Sequence, residues 1–364
     1  MTIGRQTNTI ISICYIKGIV NQNVLKEVRR RLSNIDTDSI LESGYLEQFI
    51  EDAPMSLLAT VGNSEKPDII AGKLLEGRVA ILCDGTPNVL TVPFLFVENL
   101  QSSEDYYSRL YISSMLRILR VIALWISLFL APIYVAIETY HQEMIPTVLL
   151  TTMMGASSHI PLPAFVEATL MLLMFQLLRE SGTRLPRAVG PAISIVGALV
   201  LGDAAVNAGI ISAPMIIVIA LTAICSFVIP PMVEFMALYR FILVILAGFM
   251  GLFGITAGVY ILFHHTTALT SFGVPYCSPF SFLDKEGLKD SIVHFPIWSQ
   301  KNVLTLLRRI ILRGKVTQGR TKNMLNKKMI YPIIIIFCCY MFTGCWDHRE
   351  LKELAVVEIG RAHV

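Results

Sequence analysis

Residues 241–263 read FILVILAGFMGLFGITAGVYILF, twenty-three residues without a single charge. A helix that crosses a hydrocarbon core about 30 Å thick needs roughly 20 apolar residues, so this stretch predicts a transmembrane span. Val121–Ile137 also qualifies, although Pro132 breaks it. Pro191–Leu201 continues into Gly202-Asp203-Ala204, and Ile210–Ile229 stays apolar up to Pro230-Pro231. Pro163–Leu178 is a weaker candidate, because it is short and carries Glu167 and Gln176. Met144–Pro161 suits a re-entrant or interfacial helix. The expectation is an all-α polytopic membrane domain over residues 121–264 with four or five spans.

Composition agrees. Hydrophobic residues make up 54% of the 364 and charged residues only 16%, with a mean hydropathy of +0.61, whereas soluble domains carry about 25% charged residues. The net charge of +3 is uneven: residues 301–328 hold nine Lys/Arg and no acid, which leaves −6 for the rest. Nucleic-acid binding needs a basic field over the domain, so that class is excluded. The seven cysteines are scattered without a CxxC spacing, which gives neither a disulfide framework nor a zinc site. His264-His265 and Cys338-Cys339 are simple pairs, read as interfacial or core residues. No nucleotide-binding glycine loop, HExxH or GxSxG occurs, so no catalytic residue, metal or cofactor is expected, and the chain is not read as an enzyme.

Residues 1–100 read as a small α/β domain. Thr9–Ile16 is a β-branched strand, and Val24, Val28, Leu32 and Ile35 recur at helical spacing. Further helices are expected near Gly44–Glu51 and at Pro67–Leu75. Arg78–Cys83 and Asn88–Pro93 flank Asp84-Gly85 as a hairpin, within a mixed sheet. The first strand lies within ten residues of Met1, so upstream strands are expected to be missing. Residues 101–120 predict either an amphipathic helix at the bilayer interface or a linker helix packed on the soluble domain. Arg109, Arg117 and Arg120 precede the first span, and Arg179, Arg184 and Arg187 follow Pro163–Leu178. Cytoplasmic loops are rich in Lys and Arg, so the N-terminal domain and the Arg179–Arg187 loop are assigned to the cytoplasm. Five crossings would leave residues 265–298 outside; four would leave them inside.

Ionisable groups inside a membrane are functional candidates because burying them is costly. Glu167, Gln176, Asp203 and Glu234 are therefore the pore or gating candidates, set against the plainer reading of helix-end acids at an interface. Gly254 and Gly258 form a small-xxx-small pair and Gly197 lies in a second small-residue helix, which suits close helix packing, within one subunit or between subunits.

At the level of whole strings, PFLFVENLQSSEDYY (93–107), YHQEMIPTVLL (140–150), LPAFVEATLM (162–171), LLRESGTRLPRAVGPAISIVGALVLGDAAVNAG (177–209), LTAICSFVIP (221–230) and SFGVPYCSP (271–279) resemble the A-subunit family of spore germination receptors, the GerA type of endospore-forming Firmicutes. The resemblance covers roughly residues 8–298. It implies a multipass subunit of a nutrient receptor in the spore inner membrane. It also implies a homo-oligomeric, ligand-gated ion channel that assembles with a permease-like B subunit and a lipoprotein C subunit. Many members carry Glu where this chain has Leu172 and Gln176, which lowers the charge of that helix. A secondary transporter subunit and a membrane scaffold are the alternatives; no repeat between the two halves of the membrane region supports the transporter.

Beyond the family tail at 265–298, residues 299–364 are read as a frameshifted join. A lipoprotein signal occupies 324–345, ending in the lipobox Phe342-Thr343-Gly344-Cys345 at an internal position, and 358–364 (EIGRAHV) looks like translated adapter sequence.

Overall fold

A computed structural model describes residues 1–158, 160–184 and 202–278. The expected join over 299–364, with Cys345, lies outside the described residues, as does Gly197. The chain divides into two compact units, one formed by Met1–Val121 with the segment that begins at Phe263, the other by Ile122–Leu262.

The first unit is α/β. Strands β1 (Thr2–Ile3), β2 (Thr9–Cys14), β3 (Gly62–Ser64), β4 (Val79–Cys83) and β5 (Val89–Val92) form one sheet in the order β1-β2-β4-β5-β3. Every pairing is antiparallel, which corrects the expected mixed sheet. The tight turn at Asp84-Gly85 fixes β4 and β5 as an antiparallel hairpin, and β2 and β3 add to its two open edges. Helix α1 (Gln22–Ser33) starts where the Asn21 side chain accepts the Asn23 N–H at 2.9 Å, a side-chain N-cap. It buries Val24, Leu25, Val28 and Leu32. Helix α2 (Ser43–Ile50) adds Leu46 and Ile50 to the same core, and α3 (Pro67–Leu75) opens with a proline in its first turn.

Phe272 joins that core from the far end of the chain. It belongs to a two-strand hairpin, β6 (Thr270–Ser271) with β7 (Val274–Pro275). Its two turn residues, Phe272 and Gly273, have φ of 48° and 81°. Positive φ at both positions is the type I′ hairpin turn, which is strained for a phenylalanine. The surroundings hold it there. The Phe272 ring lies 4.3 Å under the Arg31 guanidinium, and its N–H donates to Asp52 at 2.6 Å. Ser271 Oγ accepts the Phe94 N–H at 2.9 Å and donates to the Thr60 carbonyl at 2.7 Å. Phe96 N–H donates to the Tyr276 carbonyl at 2.9 Å, and the Tyr276 ring packs edge-on against Phe96.

The segment after β5 begins with α4 (Glu104–Tyr107) and runs into α5 (Leu110–Tyr140), 31 residues that carry the chain into the second unit. Asp105, fully buried, hydrogen-bonds Arg120 at 2.6 and 2.8 Å and Arg117 at 3.2 Å. These arginines are therefore not free interfacial charges. The first turns of α5 turn their charges inward and leave Tyr111, Ile112, Met115, Ile118 and Leu119 exposed.

The second unit is helical: α5, α6 (Thr147–Ser157), α7 (Ala164–Arg184), a short helical stretch at 202–207, α8 (Ala213–Phe227) and α9 (Val233–Ala268). Among the described residues two helices are long and apolar enough to cross a membrane, Leu110–Tyr140 and Pro230–Ala268. These are two of the expected four or five spans; the expected span at Pro191–Leu201 lies outside the described residues. The second is interrupted at Gly251, whose φ and ψ of 59° and −144° are outside any helix. Across this break the two limbs of α9 fold back on each other. The Tyr239 hydroxyl donates to the Gly258 carbonyl at 2.5 Å, and a Cβ on Gly258 would lie 2.4 Å from Leu243. In a straight helix residues 239 and 258 would lie about 28 Å apart. The stretch 241–263, read as one span, is instead an antiparallel helical hairpin.

Candidate functional site

The helical unit buries a set of polar groups drawn from four segments. Tyr134 and Glu138 are one turn apart on α5 and so share a face. Glu138 is 4% exposed and accepts the Ser157 hydroxyl of α6 at 3.3 Å. Gln142, the next turn on, donates to the Glu138 carbonyl at 2.9 Å. Glu167 lies in the first turn of α7 and is 2% exposed. It accepts both the N–H and the hydroxyl of Ser212, at 2.5 and 2.6 Å, where Ser212 begins α8. Both carboxylates act on the Tyr134 hydroxyl. Two acids with hydroxyl donors in a largely apolar interior can take up a cation or a proton, because each lowers the cost of a positive charge beside the other.

Of the residues singled out from sequence, Glu167 is at the centre of this cluster. Gln176 is half-buried on the same helix, Asp203 is exposed in the 202–207 stretch, and Glu234 is exposed in the first turn of α9. None of the three makes a hydrogen bond to it. Gly254 and Gly258 pack inside the α9 hairpin, where a Cβ on Gly254 would meet the Leu246 carbonyl at 2.2 Å. At the tip, Tyr140 caps the first limb by donating to the carbonyls of Gly248 and Phe249 at 3.1 and 2.9 Å. Sequence reasoning missed Tyr134, Glu138, Ser157 and Ser212. Glu138 offered a signal, an acid inside the end of an apolar helix; the serines offered none. Among the described residues no three His, Cys, Asp or Glu side chains are placed to hold a metal.

The first unit carries its own buried charges. Arg78 donates to the Pro93 carbonyl at 2.9 Å and pairs with Glu76 at 3.0 Å and with Glu98, while Lys73 pairs with Glu98 at 3.1 Å. Burial alone would raise the Glu98 carboxyl, but Arg78 and Lys73 outweigh it and hold it below the usual range. Asp105 behaves alike: burial pushes it up, and the Arg120 hydrogen bonds outweigh that and hold it down. Glu47 goes the other way, since burial and then the charges of Glu51 and Glu42 push it up to about 7.

The sequence matches the family described as Bacillus/Clostridium GerA spore germination protein over residues 1–304. It is 48% identical over 339 residues to Spore germination protein KA of Bacillus subtilis, covering 90% of this chain and 62% of that protein. It is 40% identical to Spore germination protein GerLA of Bacillus cereus, over 81% of this chain and 60% of that one. Identity to Spore germination protein A1 of Bacillus subtilis is also 40%, over 81% and 62%. Among solved structures, the N-terminal domain of the A subunit of the Bacillus megaterium spore germinant receptor GerK3 is 57% identical over 26% of this chain and 38% of that chain, with a TM-score of 0.21. The chain spans about three fifths of the length of these full-length relatives. A share of 90% is more than the first 298 residues, so the likeness to protein KA continues past Trp298, where it was expected to stop.

Proposed function

The chain belongs to the GerA family of spore germination proteins, and from that premise we propose that it is the membrane-embedded A-type subunit of a nutrient receptor in the spore inner membrane. In this reading it is not an enzyme. It forms a homo-oligomer with an ion path and works with a permease-like B subunit and a lipoprotein C subunit, while its α/β unit faces the cytoplasm. The observation that carries the ion path is the buried pair Glu138 and Glu167, held by Ser157 and Ser212. Acids inside an apolar helical unit are expensive and mark ion or proton routes.

Two observations support an even number of crossings. The α9 hairpin turns the last apolar run into two passes, each of roughly 25–27 Å. The chain on both sides of the helical region, before Val121 and after Phe263, packs into one α/β unit. The Gly251 break also favours the transporter alternative, because broken helices are frequent in transporters.

Single-channel recording from the full chain in vesicles separates the readings. Gated conductance that Glu167→Gln diminishes is the expected result. Saturable uptake without conductance would make the protein a transporter, and neither activity would make it a scaffold. A cysteine at Thr183 and another at Thr267 should both resist an impermeant reagent added from outside; labelling at Thr267 would defeat the even count, and labelling at Thr183 would defeat the cytoplasmic assignment of its loop.

A further inference from the structure

Between α2 and β3 the α/β unit carries an uncharged loop, residues 53–60 (APMSLLAT). Met55 is 96% exposed, the highest value for a large apolar side chain among the described residues, and Leu57 is exposed as well. Leu58, by contrast, is buried.

The exposure is held in place. The loop is clamped at three points to the segment that follows the last apolar run. Asp52 accepts the Phe272 N–H at 2.6 Å, the Thr60 carbonyl accepts the Ser271 hydroxyl at 2.7 Å, and Ser56 Oγ lies 3.0 Å from His265 Nε2. Inside the loop the Ser56 N–H donates to the Ala53 carbonyl at 2.9 Å and the Leu58 N–H donates to Ser56 Oγ at 3.1 Å. Met55 stands within the turn that these bonds close.

His265 sets the level of the loop. The apolar run 241–263 ends at Phe263, itself exposed, and His264-His265-Thr266-Thr267 follow. Two residues of helix rise about 3 Å, so His265 is one short step past the last apolar side chain. Neighbouring Cα atoms are about 3.8 Å apart, so Met55 and Leu57 begin within a side chain's length of that boundary. The headgroup layer outside the hydrocarbon core is roughly 5–8 Å deep on each side. The acids that precede the loop do not oppose lipid, because Asp52 pairs with Arg31 and Glu51 accepts the Thr60 N–H at 3.1 Å. A single exposed apolar residue is ordinary. Two on a clamped, uncharged loop, beside the exposed apolar end of a span, form one surface.

We propose that this loop, led by Met55 and Leu57, dips into the headgroup layer of the bilayer beside the end of α9, so that the α/β unit itself touches lipid. The proposal rests on the reading of α9 as membrane-embedded.

The test is photocrosslinking of the full chain in vesicles of phosphatidylglycerol and phosphatidylcholine, with adducts identified by mass spectrometry. The photoreactive residue p-benzoylphenylalanine is placed at Met55, at Leu57 or, as the control, at Asp84. All three positions are exposed, so folding tolerates the change. Asp84 lies in the β4–β5 turn, at the other end of that hairpin from Val92 and the Phe94–Ser271 contact. Phospholipid adducts at 55 and 57 should exceed those at 84 about tenfold, since moving one such side chain from water into an apolar phase favours that phase by at least this factor. Lipid adducts no more frequent at 55 and 57 than at 84 overturn the proposal. Adducts with a second copy of the chain in place of lipid would show that protein covers the loop, and overturn it too. Wild-type chain that alkaline carbonate extracts from the vesicles would contradict the embedding of α9 and so the premise. Carbonate-resistant chain without lipid adducts at 55 and 57 would overturn the loop contact alone.

Discussion

The two segments of the first unit that flank the helical region are held in that unit by different forces. At the entry, α5 is held by charge: Asp105 is fully enclosed between Arg117 and Arg120. At the exit, the 270–275 hairpin is held by packing: Phe272 enters the main core, Tyr276 packs against Phe94 and Phe96, and Val274 joins Leu95 and Val97. An ion cluster is directional and fails abruptly when one member is lost. A hydrophobic plug is forgiving in orientation but cannot form until the core that receives it exists. The entry is closed within about fifteen residues of sequence, whereas the exit joins partners separated by 177 to 220 residues.

The comparison yields predictions of decreasing size. Tyr276→Ala should cost about 3–5 kcal/mol, as for other buried aromatics, and should free the hairpin. Thermal unfolding of the full chain and faster thiol labelling of the half-buried Cys277 read this out; an unchanged melt would show that the exit is not held by packing. Asp105→Asn should cost about 3 kcal/mol, because it leaves Arg117 buried without a full counter-charge. Its pH dependence separates it from the first variant. The Asp105 carboxyl is held below its ordinary value, so the stability it gives is present above pH ~4 and lost as pH falls below that. The wild type should show this acid limb and Asp105→Asn should not, while Tyr276→Ala should retain it.

Gly251→Ala tests a joint that lies away from both anchors. Its positive φ disfavours a side chain, and the added Cβ would come within 3.1 Å of Tyr140 and 3.0 Å of His141, so a loss of about 1–3 kcal/mol is expected. A melt equal to wild type would mean that the hairpin turn tolerates a Cβ. The smallest effect concerns Glu47, raised to about 7. A raised carboxyl costs stability as pH climbs from about 4.5 to 7, because the unfolded chain releases its proton first. Glu47→Gln should therefore stabilise by about 1 kcal/mol at pH 8 and by nothing at pH 4. Equal melts of the variant and wild type at pH 8 would refute the assignment.

Legibility in the sequence followed the range of the interactions. The strand at Thr9, the 78–93 hairpin and the helices near 23, 44 and 67 were readable because alternation, helical spacing and a Asp-Gly turn are local signals. Glu167 was readable because an acid in an apolar helix is conspicuous. The Gly251 fold-back was not, since the run is apolar on every face and periodicity offers no contrast at the turn. The amphipathic pattern of 101–120 was real, yet Arg117 and Arg120 are turned inward, because Asp105 supplies their counter-charge.

By itself the sequence determined that a small α/β domain precedes a helical, membrane-associated region of the GerA family, since composition, periodicity and matched strings are properties of the chain alone. Only the tertiary structure decided that the last apolar run is two helices, that the following segment returns to the first core, and that Arg240 is buried with no acid paired to it among the described residues. Each of these depends on which distant side chains meet. A guanidinium or a glycine carries no mark in the sequence of the partner it will find or lack.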